Sequence, residues 1–164
     1  MRQTILTTSR LTLTTWLPED VDDLAEVHSD PETMRFVRHG RPDTRRETEE
    51  LVRTYREEQA RQGWTRWRLA DHRGTLVGRA GFVDPGTGRQ LGYTLRRDVW
   101  GRGLATEIAE ALVRWHHDDV PTEPLWAYAA VENLASRRVL EKVGFTLQHD
   151  TEHSGVPCHL YRRF

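Results

Sequence analysis

The chain switches several times between two hydrophobic periods, and the switches mark its elements. In "RLTLTTWL" (Arg10–Leu17) apolar and polar residues take turns, the period-2 signature of a half-buried strand. In "PEDVDDLAEVHSD" the spacing of Val21, Leu24, Ala25 and His28 behind Pro18 predicts a helix, with acids in its first turn. A second helix is expected from a cap at Asp43 or Thr44 to a stop at Gly63. Its few apolar residues, Leu51, Val52 and Tyr55, leave much of its surface wet. Period 2 returns in "WTRWRLAD" (Trp64–Asp71) and "LVGRAGFVD" (Leu76–Asp84), which the turn "HRGT" joins as a hairpin. After the turn "DPGTG" comes the strand "RQLGYTL" (Arg89–Leu95). Leu104, Ile108, Ala111, Leu112 and Trp115 then line one helical face. "LWAYAAV" (Leu125–Val131) reads as a buried strand, and a short helix runs from about Leu134 to Lys142, stopping at Gly144. Strands at Phe145–Asp150 and Val156–Phe164 close the chain. The order β-α-α-β-β-β-α-β-α-β-β predicts seven strands and about four helices in a mixed α/β (α+β) layer.

Composition acts mainly by exclusion. A chain of 164 residues is expected to form one domain, residues 1–164, around one core. Six tryptophans argue against disorder. A net charge of −1 lacks the electrostatic footprint of a nucleic-acid binder. No apolar run approaches the roughly 18 residues that span a bilayer, and "MRQTILTTSR" lacks a signal-peptide core. A cytoplasmic protein with no membrane partner is the expectation, and the sequence leaves a monomer and a homodimer equally open. The single Cys158 and His159 are strand neighbours on opposite faces, so they form no dyad. His116 and His117 cannot share a helix face, and His149 and His153 lack further ligands, so no metal site is expected.

Candidate chemistry collects in "VWGRGLATEI" (Val99–Ile108). Two glycines ahead of a helix are explained equally well by a tight turn without a ligand. The first turn adds more: small Ala105 admits close approach, Thr106 supplies a hydroxyl, and Arg102 a cation. At a helix N-terminus these suit a pyrophosphate. A P-loop is excluded because no lysine stands at the helix start, and the dinucleotide fingerprint fails at Thr106 and in its strand context.

"YTLRRDVWGRGLATEIAEALVRW" followed by "ENLASRRVLEKVGF" resembles the GNAT superfamily of acetyl-CoA-dependent N-acetyltransferases, and most nearly its Rim-type branch, which acetylates ribosomal-protein N-termini. The family's pyrophosphate loop matches Trp100, Gly101, Arg102, Gly103, Leu104 and Ala105, with Trp100 as in Rim-type members. A second block matches Asn133, Ser136, Arg138, Val139, Leu140, Glu141, Lys142, Gly144 and Phe145. The resemblance implies a seven-stranded, mostly antiparallel sheet splayed between its fourth and fifth strands. It implies pantetheine along Leu95, Arg96 and Arg97, and pyrophosphate on the N–H groups from Gly101 to Thr106. Asn133 would anchor the cosubstrate, and Arg138 would meet its phosphates. For the chemistry it implies direct attack of a primary amine, a protein N-terminus or a small molecule, on the thioester, with no covalent enzyme intermediate. The Leu95 N–H would polarise the carbonyl, and Ser136 would stand by the leaving thiolate.

Two positions depart from the family. Leu140 stands where many members carry an acidic tyrosine, and Gln90 replaces the usual glutamate of the fourth strand. Gln90 orients a proton but cannot accept one. The base stays open among Glu132, Asp84 and the histidines, and an easily ionised α-amine would need little help. "MRFVRHGRP" (Met34–Pro42) falls where the family places its substrate loop. The rival readings are a non-catalytic acyl-CoA-binding module of the same fold and a structural domain whose glycines only turn the chain.

Overall fold

The computed structural model describes residues 1–164 and contains eight strands in one sheet. Strand β1 (Thr4–Thr7) pairs antiparallel with β2 (Leu11–Thr14), which pairs with β3 (Arg66–Asp71). β3 continues into β4 (Leu76–Val83) and β5 (Gln90–Leu95) as an antiparallel meander. Beyond β5 lie β6 (Leu125–Ala130), β8 (Val156–Arg163) and, at the far edge, β7 (Thr146–His153). The seven expected strands are therefore eight. β1 escaped the alternation pattern because it is a half-exposed edge strand, with only Ile5 and Leu6 as apolar residues.

The helices are five, not about four. After a 3₁₀ turn at Pro18–Asp20 come α1 (Val21–His28) and a single turn, α2 (Pro31–Met34), too short to show a period. α3 (Arg45–Gln62) starts at Thr44, whose hydroxyl and the Glu47 carboxylate form a reciprocal cap, and ends at left-handed Gly63. α4 (Leu104–Asp119) and α5 (Leu134–Lys142) flank β6 in sequence.

The main core lies between α4, α5 and one sheet face, where Trp67, Phe82, Ile108, Leu112 and Leu125 are fully buried. A smaller cluster under α1 and α3 joins Trp16, Leu24, Val27, Val52, Tyr55 and Leu76. Its Trp16 indole N–H donates to Arg66 O at 2.8 Å.

β5 and β6 run parallel but meet only at their beginnings, where Gln90 registers with Trp126 and Trp126 N–H donates to Arg89 O at 3.0 Å. Beyond that point they diverge, so the splay falls between the two strands expected to carry it. The divergence frees one backbone edge of β5. Arg96 N–H donates to Val77 O at 2.7 Å, which makes Leu95 and Gly78 a non-hydrogen-bonded pair of the β4–β5 ladder. The N–H and C=O of Leu95 therefore point away from β4, into the gap.

Candidate active site

A cavity of about 580 Å³ fills the gap, a size suited to a small ligand. One wall is β5 from Leu91 to Leu95 together with the loop into α4; the other is the end of β6 with the start of α5. Leu95, Trp100, Gly101, Gly103, Leu104, Ala105, Thr106, Asn133 and Ser136 all line it. Segments 90 and 130 positions along the chain are thus brought to one cleft.

The α4 wall is built to receive an anion. Gly101 and Gly103 hold left-handed backbone, φ 77° and 78°, and no side chain caps the helix at Gly103. Its first-turn N–H groups are therefore left for a ligand. The loop is pinned from outside: the Arg10 guanidinium donates to Arg102 O at 2.7 Å and to Glu107 Oε1 at 2.8 Å. Glu107 also accepts from Thr8 Oγ1 at 2.6 Å and from Arg10 N at 2.9 Å. Trp100, 47% exposed, turns its indole N–H back onto Leu95 O at 2.9 Å. Leu95 thus presents the cavity an N–H beside a carbonyl that already accepts one hydrogen bond.

On the opposite wall Asn133 caps α5 by accepting from Ser136 N at 3.3 Å. Ser136 Oγ lies 2.8 Å from the hydroxyl of Tyr93, which reaches across from β5. Burial raises the Tyr93 pKa, partly offset by this hydrogen bond, so the phenol keeps its proton. At the mouth, Arg35 approaches Glu132 to 3.8 Å, linking the segment after α2 to the β6–α5 turn; both side chains are exposed.

Several other expected residues lie outside the cavity lining, and a few more enter it. Gln90 is buried at the closed end of the splay. Arg96 is tied to Asp98 Oδ1 at 2.6 Å and to Leu76 O, and Arg97 pairs with Asp30 at 3.1 Å. Arg102 and Arg138 carry exposed side chains outside the lining. Asp84 accepts from Gly86 N and Gly88 N in its turn, and no histidine lines the cavity. Leu140 is buried in the core at the cavity floor. Of "MRFVRHGRP", Arg35, Phe36 and Val37 line the mouth.

Sequence reasoning passed over Tyr93, Arg10 and Glu107. All three sat inside quoted stretches, but their partners come from distant elements.

The fold is shared with known acetyltransferases. The family model described as "Acetyltransferase (GNAT) domain" matches residues 10–146. The N-acetyltransferase p20 of Bacillus licheniformis, itself described as uncharacterized, is 26% identical over 144 residues, covering 85% of this chain and 81% of that protein. A crystal structure of an acetyltransferase from Agrobacterium tumefaciens superposes with a TM-score of 0.83 at 24% identity, covering 99% of this chain and 94% of that one. The ribosomal L7/L12 α-N-protein acetyltransferase RimL, in complex with coenzyme A, superposes with a TM-score of 0.81 at 18% identity, covering 98% and 97%.

Proposed function

The chain belongs to the GNAT acetyltransferase family, and from that premise we propose that its acceptor is a primary amine, the α-amine of a peptide or small molecule ahead of a lysine-type amine. Enzymes of this family draw the acetyl group from acetyl-CoA, whose thioester supplies an activated acyl carbon. The observation that carries the reading is the uncapped start of α4, with Gly101 and Gly103 in left-handed backbone, facing Asn133 and Ser136 across the splayed strands.

In this proposal the N–H groups from Gly101 to Thr106, with Arg102 beside them, hold a pyrophosphate. The free edge of β5 hydrogen-bonds a pantetheine arm as an added strand would. Leu95 N–H polarises the acyl carbonyl, and Asn133 and Ser136 form the far wall. Arg96, Arg97 and Arg138, outside the lining, are left for the nucleotide end, and Gln90 is assigned no step. The amine lone pair forms the C–N bond, the C–S bond breaks with sulfur keeping its electron pair, and the ammonium proton passes to water.

The preference for an α-amine rests on what the cavity lacks. With no histidine in the lining and only the carboxylates of Glu32 and Glu132 as proton acceptors, an acceptor that arrives partly neutral is favoured. At pH 7.5 about a quarter of an α-amine with pKa near 8 is neutral, against about 0.1% of a lysine amine near 10.4. Glu32 and Glu132 at the cavity would attract the protonated remainder. Trp100 at the head of the loop supports the Rim-type branch, and the reading takes the enzyme as cytoplasmic.

A thiol-release assay against an amine panel tests it, alongside calorimetry with coenzyme A. Faster turnover of peptide α-amines than of lysine-type amines is the expected result. Tight coenzyme A binding with no turnover of any amine would establish the non-catalytic module instead. Absence of coenzyme A binding would leave a structural domain.

A further inference from the structure

Ser136 and Tyr93 are the two hydroxyls that meet inside the cleft, one from each side of the splay, 2.8 Å apart. Resting on the acetyl-CoA reading above, we propose that Tyr93 is a positioning residue that donates to Ser136 Oγ and so aims the serine's own proton at the sulfur of bound coenzyme A.

A serine in the first turn of a helix has other choices. Its hydroxyl can rotate onto a nearby backbone carbonyl, and then its proton is lost to the site. A hydroxyl has one proton to give and two lone pairs to receive. Between a phenol and an alkyl hydroxyl, the phenol is the stronger acid and the serine oxygen the better acceptor, so the shared proton is Tyr93's. Once Ser136 Oγ accepts it, the one proton of Ser136 points elsewhere. The space around Ser136 that is not helix α5 or Tyr93 is the cavity it lines. Burial keeps Tyr93 protonated, which holds the donor in place without making it an acid in its own right. Tyr93 has no other hydrogen-bond partner, so its hydroxyl serves this contact alone. Leu140, one helical turn further along α5, is a buried apolar side chain and offers the site no proton of its own.

The test reads the sulfur directly and needs no acceptor. Coenzyme A is titrated in its binary complex with the intact protein, following thiolate absorbance in the ultraviolet. A free thiol titrates near 8.5, and the wild-type complex is expected about one unit lower. Tyr93→Phe keeps the ring and removes only the hydroxyl; it is expected to return at least half of that shift while leaving coenzyme A affinity within about threefold. Ser136→Ala is expected to return all of it, and the double variant to match Ser136→Ala, because Tyr93 acts only through Ser136. A Tyr93→Phe complex that titrates like wild type overturns the proposal, as does a wild-type complex at or above the free value. Failure of the wild type to bind coenzyme A overturns the underlying site reading as well, and a normal shift without turnover overturns only the assignment of an amine acceptor.

Discussion

The ring nitrogen Nδ1 of His28 lies 3.1 Å from an Asp43 carboxylate oxygen, with both side chains wholly excluded from water. The other ring nitrogen accepts from Arg79 Nε at 3.1 Å, so the neutral ring carries its hydrogen on Nδ1, toward Asp43. His39 Nε2 stands 3.1 Å from the second Asp43 oxygen, and the set ties the loop before α3 to the sheet.

This pair makes stability depend on pH. Burial, then the charges of Arg79, Arg38 and Arg66, hold the His28 pKa down at about 2. The unfolded chain binds a proton at His28 near pH 6.5, so stability from this group is intact above that value and lost below it, at about 1.4 kcal/mol per pH unit. Urea midpoints are expected to fall between pH 7 and pH 5, and His28→Gln to flatten the fall. Equal slopes in both proteins would refute it.

The clamp on the glycine loop gives a binding prediction. Arg10 holds Arg102 O from outside the cavity while Glu107 holds Arg10. Arg10→Ala removes that bond without touching a ligand, and is expected to weaken coenzyme A binding about fivefold, the worth of roughly one hydrogen bond of loop order. Calorimetry checks it; unchanged affinity would show that the loop keeps its shape unaided.

Gly78 tests how the β5 wall is held. A Cβ there would lie 2.0 Å from Thr94 O, between two paired strands. Gly78→Ala is expected to cost about 4 kcal/mol or more, or to yield no soluble protein, since backbone has to move. Gly74 is the contrast, with φ 86° but nothing within 4 Å of its Cβ. Gly74→Ala is expected to cost about 1–2 kcal/mol from conformation alone. Chemical denaturation ranks them, and near-equal losses would mean that β4 and β5 yield easily.

What the sequence disclosed follows the reach of each signal. Alternation and caps are local, and they placed β2 to β6 and both ends of α3, from Thr44 to Gly63. β1 and α2 were hidden because one is half exposed and the other is a single turn. In the cleft, the loop glycines and the Asn133–Ser136 turn were legible because each is a contiguous motif. The Tyr93–Ser136 contact was not, since it depends on how far β5 and β6 diverge, and neither strand records that. Arg10 was hidden likewise: it meets its loop through an edge hairpin more than ninety residues earlier in the chain.

Gly103 separates a turn from a binding site. It heads α4 at φ 78°, and beyond its missing Cβ the nearest group is Arg10, 3.5 Å away. Any larger residue meets left-handed strain of about 1–2 kcal/mol, so lost stability alone says nothing of the ligand. Gly103→Ala carries the strain with little bulk, whereas Gly103→Trp sets an indole against the Arg10 clamp and beside the first-turn N–H groups. The two variants are expected to unfold at similar temperatures. Alanine should keep coenzyme A affinity within about threefold, and tryptophan should lose at least about tenfold, more than 1.4 kcal/mol of binding. If calorimetry found the two equal, the glycines would serve the chain's turn and the pyrophosphate would lie elsewhere.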